Sequence, residues 1–270
     1  MRYSYSIPLF VAVLVSTASA QFSEGNLAVL RLGDGTASLS SASTSAHIDQ
    51  FTPAGSYLNT ITIPDTGSSA LTYSGTAVSE GALTRSTDGR YLTLVGYNTS
   101  KGLASVASSS TTTVPRGIAT VDFDGHYALE ATTTQFTGNN IRSGITDGAH
   151  NFWAAGAGGM SSSGIAYLGT ASVAASVMNV NARVVNVFNE NLYFSTGSGT
   201  AGIYGFTGTP TTSSTPTLLF ATGTSSSPYD FAISPSGDIA YVADDRASVG
   251  IQKWLFDGAA WTLSYTLHTG

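Results

Sequence analysis

Short runs of alternating apolar and polar residues recur along the chain, and each is followed by a tight turn and a second run of the same kind. Alternation with a period of two indicates a β-strand with one buried face, and a two-residue turn that contains glycine favours a hairpin. Most of the turns contain glycine, and they lie at Asp88-Gly89, Asp147-Gly148, Asn189-Glu190 and Ser236-Gly237. The hairpins that they predict span residues 80–98, 140–159, 181–199 and 228–245.

A second hairpin follows each of these, and every second hairpin begins with Gly-Ile. These segments are residues 117–133, 164–177, 202–220 and 250–267. Two hairpins make a four-stranded unit. The turns lie about 59, 42 and 47 residues apart, and a repeat of roughly 40 to 50 residues is typical of the blades of a β-propeller. The longer first interval contains an insertion-like polar loop over residues 105–114. A β-sandwich is the alternative, but it does not explain the paired hairpins or the repeated Gly-Ile. Outside the first 20 residues no long stretch has apolar positions at helical spacing, so we predict an all-β propeller.

The beginning of the mature chain contains an incomplete copy of this unit. This copy spans residues 25–64, in which GNLAVLRLGDG resembles the Gly-Ile outer strands and a Ser/Thr-rich insertion follows it. Residues 50–63 resemble residues 253–267, so the segment reads as an outer hairpin that no inner hairpin accompanies. We therefore expect about four complete four-stranded blades, an N-terminal half-blade, and an incomplete ring. The exposed sheet edge would favour edge-to-edge association with another chain. We also expect natural relatives to be longer than this chain, which would then be truncated at its C-terminus.

Residues 1–20 have the pattern of a secretory signal peptide. Arg2 precedes a short apolar stretch, and Ala18 and Ala20 form the small-residue pattern that signal peptidase cleaves. Cleavage before Gln21 would leave a single propeller domain over residues 21–270. No second segment approaches the about 18 apolar residues of a membrane span. We therefore expect an extracellular protein without membrane insertion, and Asn98 begins its candidate sequon for N-glycosylation.

Composition excludes several classes of function. Charged residues make up 10% of the chain, and the formal net charge is -6. With two Lys and eight Arg, the chain lacks the basic surface that nucleic-acid binding needs. It has no Cys, which excludes disulfides, thiolate catalysis and cysteine-ligated metals. We predict no cofactor and no metal: Asp122 and Asp124 form the closest carboxylate grouping, but a hairpin turn explains this pattern more simply.

Several segments together resemble a family of secreted β-propeller proteins of unassigned function. They read GNLAVLRLGDG, SEGALTRSTDGRYLTLVGYN, NNIRSGITDG, NARVVNVFNENLYFSTGSG and SPYDFAISPSGDIAYVADD, and they extend over nearly all of the mature chain. The resemblance implies an extracellular protein that is lectin-like or associated with a matrix. It supplies no catalytic motif, and members of the family are usually longer than this chain.

Four charged residues align when the hairpin turns are superimposed: Glu80, Arg142, Arg183 and Asp230. In a propeller these positions lie near the central axis, so they form a candidate ligand-binding site. The arginines could hold an anion and the carboxylates could accept hydroxyl groups. The alternative is a ring of ion pairs between blades that binds nothing.

From these patterns we predict a noncatalytic binding or structural propeller whose partner is an extracellular glycan or matrix polymer. The alternative is a propeller-type hydrolase or lyase, glycosidase-like or lactonase-like, with the axial polar site. Trp153 and Trp254 could stack on sugars, but their positions within strands favour packing.

Overall fold

The computed structural model describes residues 21–158, 164–169, 174–246 and 249–268. The predicted signal peptide lies outside these residues. The described chain is all-β apart from a single-turn 3-10 helix at Val106–Ser108. Among the described residues, no helix is long and apolar enough to cross a membrane.

The strands form a five-bladed β-propeller in which each of the last four blades is an antiparallel sheet of four consecutive strands. Blade 2 contains β6 (Thr84–Arg85), β7 (Tyr91–Tyr97), β8 (Arg116–Asp122) and β9 (Tyr127–Thr133). Blade 3 contains β10 (Ile141–Thr146), β11 (Phe152–Gly156), β12 (Ile165–Tyr167) and β13 (Ala175–Met178). Blade 4 contains β14 (Ala182–Phe188), β15 (Asn191–Thr196), β16 (Gly202–Gly205) and β17 (Thr217–Ala221). Blade 5 contains β18 (Pro228–Ile233), β19 (Ile239–Asp244), β20 (Gly250–Phe256) and β21 (Trp261–Leu267).

Blade 1 differs from the predicted half-blade because it has three strands. These are β1 (Leu27–Leu32), β3 (Ala46–Phe51) and β4 (Tyr57–Thr62), with β3 in the middle. The short strands β2 (Ser43–Thr44) and β5 (Tyr73–Ser74) pair separately. The prediction of a two-stranded start was wrong because β1 pairs with β3 along its whole length, from Leu27 with Phe51 to Leu32 with Ala46. The insertion between the two strands hid this pairing in the sequence.

Each pair of consecutive blades shares one hydrophobic core. Ile48 and Ile61 of blade 1 pack with Leu94 of blade 2, and Ile118 of blade 2 packs with Phe152 of blade 3. The same arrangement joins blade 3 to blade 4 and blade 4 to blade 5. Burial of these side chains, worth about 25 cal/mol per Å² of apolar surface, holds the blades together without any disulfide.

The polar loop predicted over residues 105–114 is partly buried. Val106 and Val114 pack against Tyr97, and the fully buried Arg116 donates hydrogen bonds to five backbone carbonyl groups around it. The guanidinium also lies 4.7 Å above the ring of Tyr97. Arg116 therefore fixes this loop and the segment after β9 to blade 2.

Candidate functional site

Three of the inner strands contain a β-bulge at the same place, and each bulge contains one of the predicted site residues. The bulge of β10 lies between Ile141 and Ser143 and contains Arg142. The bulge of β14 contains Arg183, and that of β18 contains Asp230. A bulge changes the direction of a side chain relative to a regular strand, and bulges are frequent beside functional sites. The structure therefore gives these three residues equivalent positions at the inner edges of blades 3, 4 and 5.

Buried serine hydroxyls fix two of these bulges to the preceding blade. The hydroxyl of Ser143 donates to the carbonyl of Arg183 at 3.0 Å and accepts from the N–H of Val185. In the next blade, the hydroxyl of Ser195 donates to the carbonyl of Tyr229 and accepts from the N–H of Val184. Both serines are fully buried. The bulges leave these backbone N–H and carbonyl groups without strand partners, and the serine hydroxyls bond them instead. The backbone around Arg183 and Asp230 is thereby held in place.

Glu80, the fourth predicted residue, precedes the short strand β6. Its carboxylate accepts hydrogen bonds from the hydroxyl of Tyr97 at 2.5 Å, from the side-chain amide of Asn140 and from the N–H of Ser74. Burial raises the pKa of the Glu80 carboxyl above its ordinary value, and the hydrogen bonds from Tyr97 and Asn140 oppose the rise. All three donors hold the carboxylate in one orientation.

Arg142 is bound to the following blade. Its guanidinium donates to the side-chain carbonyl of Asn181 at 2.7 Å and to the carbonyl of Ala182 at 2.8 Å. Its Nε is buried without a hydrogen-bond partner. Burial lowers the pKa of Arg142, the positive charge of Arg183 lowers it further, and the charge of Glu80 opposes the change.

The asparagines Asn140 and Asn181 were missed at the sequence level, although a signal was present. Both belong to an Asn-x-Arg triplet, which is Asn140-Ile141-Arg142 in blade 3 and Asn181-Ala182-Arg183 in blade 4. In each case the asparagine contacts the charged residue of the preceding blade. Asn140 contacts Glu80, and Asn181 contacts Arg142. The triplet therefore links charged groups across the blade boundaries.

Arg183 differs from Arg142 because blade 5 has no such asparagine. Its guanidinium carbon lies 3.9 Å from the centre of the Tyr229 ring, a close cation–π contact. Its Nε is buried without a hydrogen-bond partner. Stacking on Tyr229 fixes the plane of the guanidinium but uses none of its N–H groups. Arg183 is therefore oriented, and no hydrogen bond within the described residues engages its terminal N–H groups.

Asp230 follows Tyr229 in the β18 bulge. Solvent reaches its side chain, but the surrounding protein removes enough water to raise the pKa of the carboxyl above its ordinary value. The N–H of Phe231 donates to the carboxylate at 2.8 Å and opposes this rise. No ion pair within the described residues includes Asp230, Glu80, Arg142 or Arg183. The structure therefore does not form the alternative ring of ion pairs among these residues.

The opposite ends of the inner strands surround a separate cavity of about 1230 Å³. Its lining comes from the turns of blades 2 to 5 and includes Arg85, Asp88, Asn186, Glu190 and Ile233. The axial site therefore lies at the beginning of the inner strands, and this cavity lies at their end.

The remaining sequence candidates have structural roles. Trp153 is buried and donates to the carbonyl of Pro210, and Trp254 stacks on Phe220 at 4.6 Å, so the preference for packing is confirmed. The side-chain nitrogen of Asn98 donates to the carbonyls of Ser68 and Ala70. Glycosylation of Asn98 stays a prediction, and a glycan would replace one of these N–H groups.

The Asp122 and Asp124 grouping gains a third potential ligand from His126. Asp122 accepts hydrogen bonds from the backbone N–H and the ring of His126, as in a hairpin turn, and Asp124 accepts one from Gln21. The carboxylates therefore have protein partners, which agrees with the interpretation as a turn.

No protein-family model matches the chain, and no curated protein matches its sequence. Its fold is similar to that of the periplasmic gluconolactonase from Pseudomonas aeruginosa, with 14% identity, a TM-score of 0.48, and coverage of 90% of this chain and 68% of that one. It is also similar to a putative 6-phosphogluconolactonase from Bacteroides uniformis, with 15% identity, a TM-score of 0.47, and coverage of 92% and 69%.

These comparisons correct the predicted function. The prediction of a noncatalytic binding or structural protein is contradicted because the similar propellers include two that are named as lactonases. At these identities the likeness concerns the fold, so the activity has to be argued from the residues of this chain.

Proposed function

We propose that the chain is a propeller-type hydrolase that opens lactones or related esters at the axial site, outside the cytoplasm. The observation that carries this proposal is the placement of Arg183 and Asp230 in the equivalent bulges of the neighbouring blades 4 and 5. Arg183 is a fixed guanidinium with unused donors, and Asp230 is a carboxylate of raised pKa in the adjacent bulge. The location rests on the signal-peptide pattern of residues 1–20.

Ester hydrolysis needs a base for water and a positive group for the carbonyl oxygen. In the proposed reaction, Asp230 takes a proton from water while the water oxygen bonds to the carbonyl carbon. The electron pair of the carbonyl moves to its oxygen, and the N–H groups of Arg183 stabilise the negative charge there. The electron pair on this oxygen then re-forms the carbonyl double bond while the ring C–O bond breaks. Asp230 gives its proton to the leaving oxygen.

The two arginines favour an acyl substrate over a glycoside. Negative charge develops on the carbonyl oxygen when an ester is attacked, whereas a glycoside passes through a state with positive charge on the sugar ring. Arg142 and Arg183 lie close enough for each other's charge to matter, as the lowered pKa of Arg142 indicates. This positive region stabilises the first kind of transition state and destabilises the second.

Glu80 and Arg142 act as positioning residues in this proposal. Arg142 donates through Nη1 to Asn181 and to Ala182 of the next blade, which fixes its guanidinium, and the carboxylate of Glu80 already accepts three hydrogen bonds. Their charges compensate in part, since Glu80 opposes the lowering of the Arg142 pKa. Arg142 thereby contributes positive electrostatic potential to the site. The negative charge of Glu80 reduces the free-energy cost of burying the positive charge of Arg142.

The test is hydrolysis of a panel of sugar-acid lactones and aryl esters, measured by base uptake above the spontaneous rate. We expect turnover by the native chain and a loss of about 100-fold or more in kcat for Asp230→Asn, since general bases contribute at least this much. Arg183→Gln should lower kcat by about 100-fold as well. The rate should rise with pH through a midpoint above 3.8, the ordinary pKa of Asp.

Matched variants control for general effects of losing a charge. Asp238→Asn removes an exposed carboxylate at the turn between β18 and β19, and Arg90→Gln removes an exposed arginine at the opposite end of the inner strands. Both should retain the native rate. Hydrolysis of glycosides without hydrolysis of any lactone or ester would contradict the proposal, as would full activity of Asp230→Asn.

A further inference from the structure

The two end blades expose the surfaces that all other blades bury against one another. Each of the last four blades has its Gly-Ile isoleucine in the third strand, at Ile118, Ile165, Ile203 and Ile251. The first three pack against the following blade and are 0% exposed. Ile251 of blade 5 is 40% exposed. The same residue type at the same position is therefore exposed in blade 5 and covered in blades 2 to 4.

The strand pairing shows that Ile203 of blade 4 and Ile251 of blade 5 occupy equivalent positions. Ile203 is paired with Ser195 on one side and with Phe220 on the other, and Ile251 is paired with Ala243 and Leu267. Ser195 and Ala243 both lie opposite the inner-strand bulge. Phe220 is 5% exposed against blade 5, whereas Leu267 is 53% exposed. We call the face of blade 5 that contains Ile251 and Leu267 the trailing face.

Blade 1 carries the complementary surface. In blade 5, Ala240 pairs with Trp254 and Val242 pairs with Gln252, and these strands pack on Ile203 and Phe220 of blade 4. In blade 1, the equivalent pairs are Leu27 with Phe51 and Val29 with Asp49. Leu27 and Val29 are 53% and 45% exposed, whereas Ala240 and Val242 are buried. We call this face of blade 1, which contains Leu27, Val29 and Phe51 beside the Arg31–Asp49 ion pair, the leading face.

We propose that the trailing face of one molecule binds the leading face of a second copy of the chain. The occupant follows from the repeat, because the contact between blades 4 and 5 already joins surfaces that are equivalent in register to these two. Both surfaces remain exposed in one molecule, so its first and last blades do not cover each other. Exposed apolar side chains that cluster on one face mark interaction sites.

The contact would be heterologous, since two different faces meet. One copy would use its trailing face and the other its leading face, and each pair would leave one face of each kind free. We therefore expect association that increases with concentration. This differs from the edge-to-edge pairing expected from the sequence, because side chains of sheet faces make the contact and backbone groups of a sheet edge do not. The inference is independent of the proposed hydrolase activity.

Sedimentation velocity of the full chain over a range of concentrations tests the association. We expect oligomers with the native sequence, and a dissociation constant at least tenfold higher for Ile251→Asp and for Val29→Asp. Both residues are substantially exposed, so both variants should fold with the native circular dichroism spectrum. Val78→Asp, at a residue that is 88% exposed and belongs to neither face, should associate like the native chain. A native chain that stays monomeric at every concentration overturns the proposal.

Disulfide trapping identifies the faces, because the native chain contains no Cys. A mixture of the single variants Val29→Cys and Ile251→Cys should form a mixed disulfide dimer under mild oxidation. A mixture of Val78→Cys and Ile251→Cys should form much less. If a chain that carries both Val29→Cys and Ile251→Cys forms only an internal disulfide, the two faces close within one molecule and the proposal fails. Trapping of Ile251→Cys with itself alone would also contradict it.

Discussion

At the scale of single residues, the axial site combines ionisable groups whose surroundings disfavour their charged forms. Loss of surrounding water raises the pKa values of the buried Glu80 and the solvent-accessible Asp230, and burial lowers that of Arg142. Such groups cost stability in the folded protein, and they are concentrated at sites that bind or react. Asp230 is the clearest example, because its carboxylate receives one hydrogen bond, from the N–H of Phe231.

Replacement of Asp230 by Asn should stabilise the protein at neutral pH. The folded-state pKa of Asp230 is raised above its unfolded value, so ionisation at pH 7 opposes folding. The gain should disappear as the pH falls below 3.8, because the carboxyl is then protonated in both states. Thermal unfolding of both proteins at pH 7 and pH 3 measures this. An Asp230→Asn protein that is less stable than the native chain at pH 7 would contradict the raised pKa.

The buried Arg116 should be among the most important residues for stability. Arg116→Met would remove the donors for five backbone carbonyls and should lower the free energy of unfolding by about 3 kcal/mol or more. Arg90→Gln breaks an exposed ion pair and should cost less than about 1 kcal/mol. Urea denaturation of both variants compares the two costs, and equal costs would show that the buried network contributes nothing.

At the scale of elements, the inner-strand bulges and their serine hydroxyls determine where the site residues lie. Ser195→Ala leaves the carbonyl of Tyr229 and the N–H of Val184 without this partner and should cost about 1–3 kcal/mol. It should also lower kcat on any lactone substrate, because the bulge that carries Asp230 loses its support. Ser236→Ala, in an exposed turn, is the control for both measurements. Unchanged kcat in a destabilised Ser195→Ala protein would separate the serine from the site.

The sequence predicted the regular elements better than the irregular ones. Period-two alternation and the glycine turns predicted the four complete blades, and alignment of those turns selected Arg142, Arg183 and Asp230. Blade 1 was miscounted because a Ser/Thr-rich insertion separates β1 from β3, so no tight turn marks their pairing. The roles of Tyr97 and Asn140 at Glu80 depend on contacts between distant residues, which local periodicity does not contain.

At the scale of the whole molecule, identical residue types at equivalent positions should differ in their contribution to stability. Ile203→Ala would leave a cavity in a closed core and should cost about 2–5 kcal/mol. Ile251→Ala removes a partly exposed side chain and should cost much less in dilute solution, where the chain is monomeric. Urea denaturation of both variants measures the difference. Similar costs would mean that Ile251 is covered in the dilute state too.

The exposed trailing face has a consequence for how the molecule opens. Blade 5 shares a core with blade 4, while its other side keeps Ile251 and Leu267 in contact with water. Local opening of β20 and β21 therefore exposes less new apolar surface than opening of β14 and β15, which lie between two cores. Amide hydrogens of the last blade should exchange with solvent fastest among the four-stranded blades, and exchange should slow toward the middle of the chain.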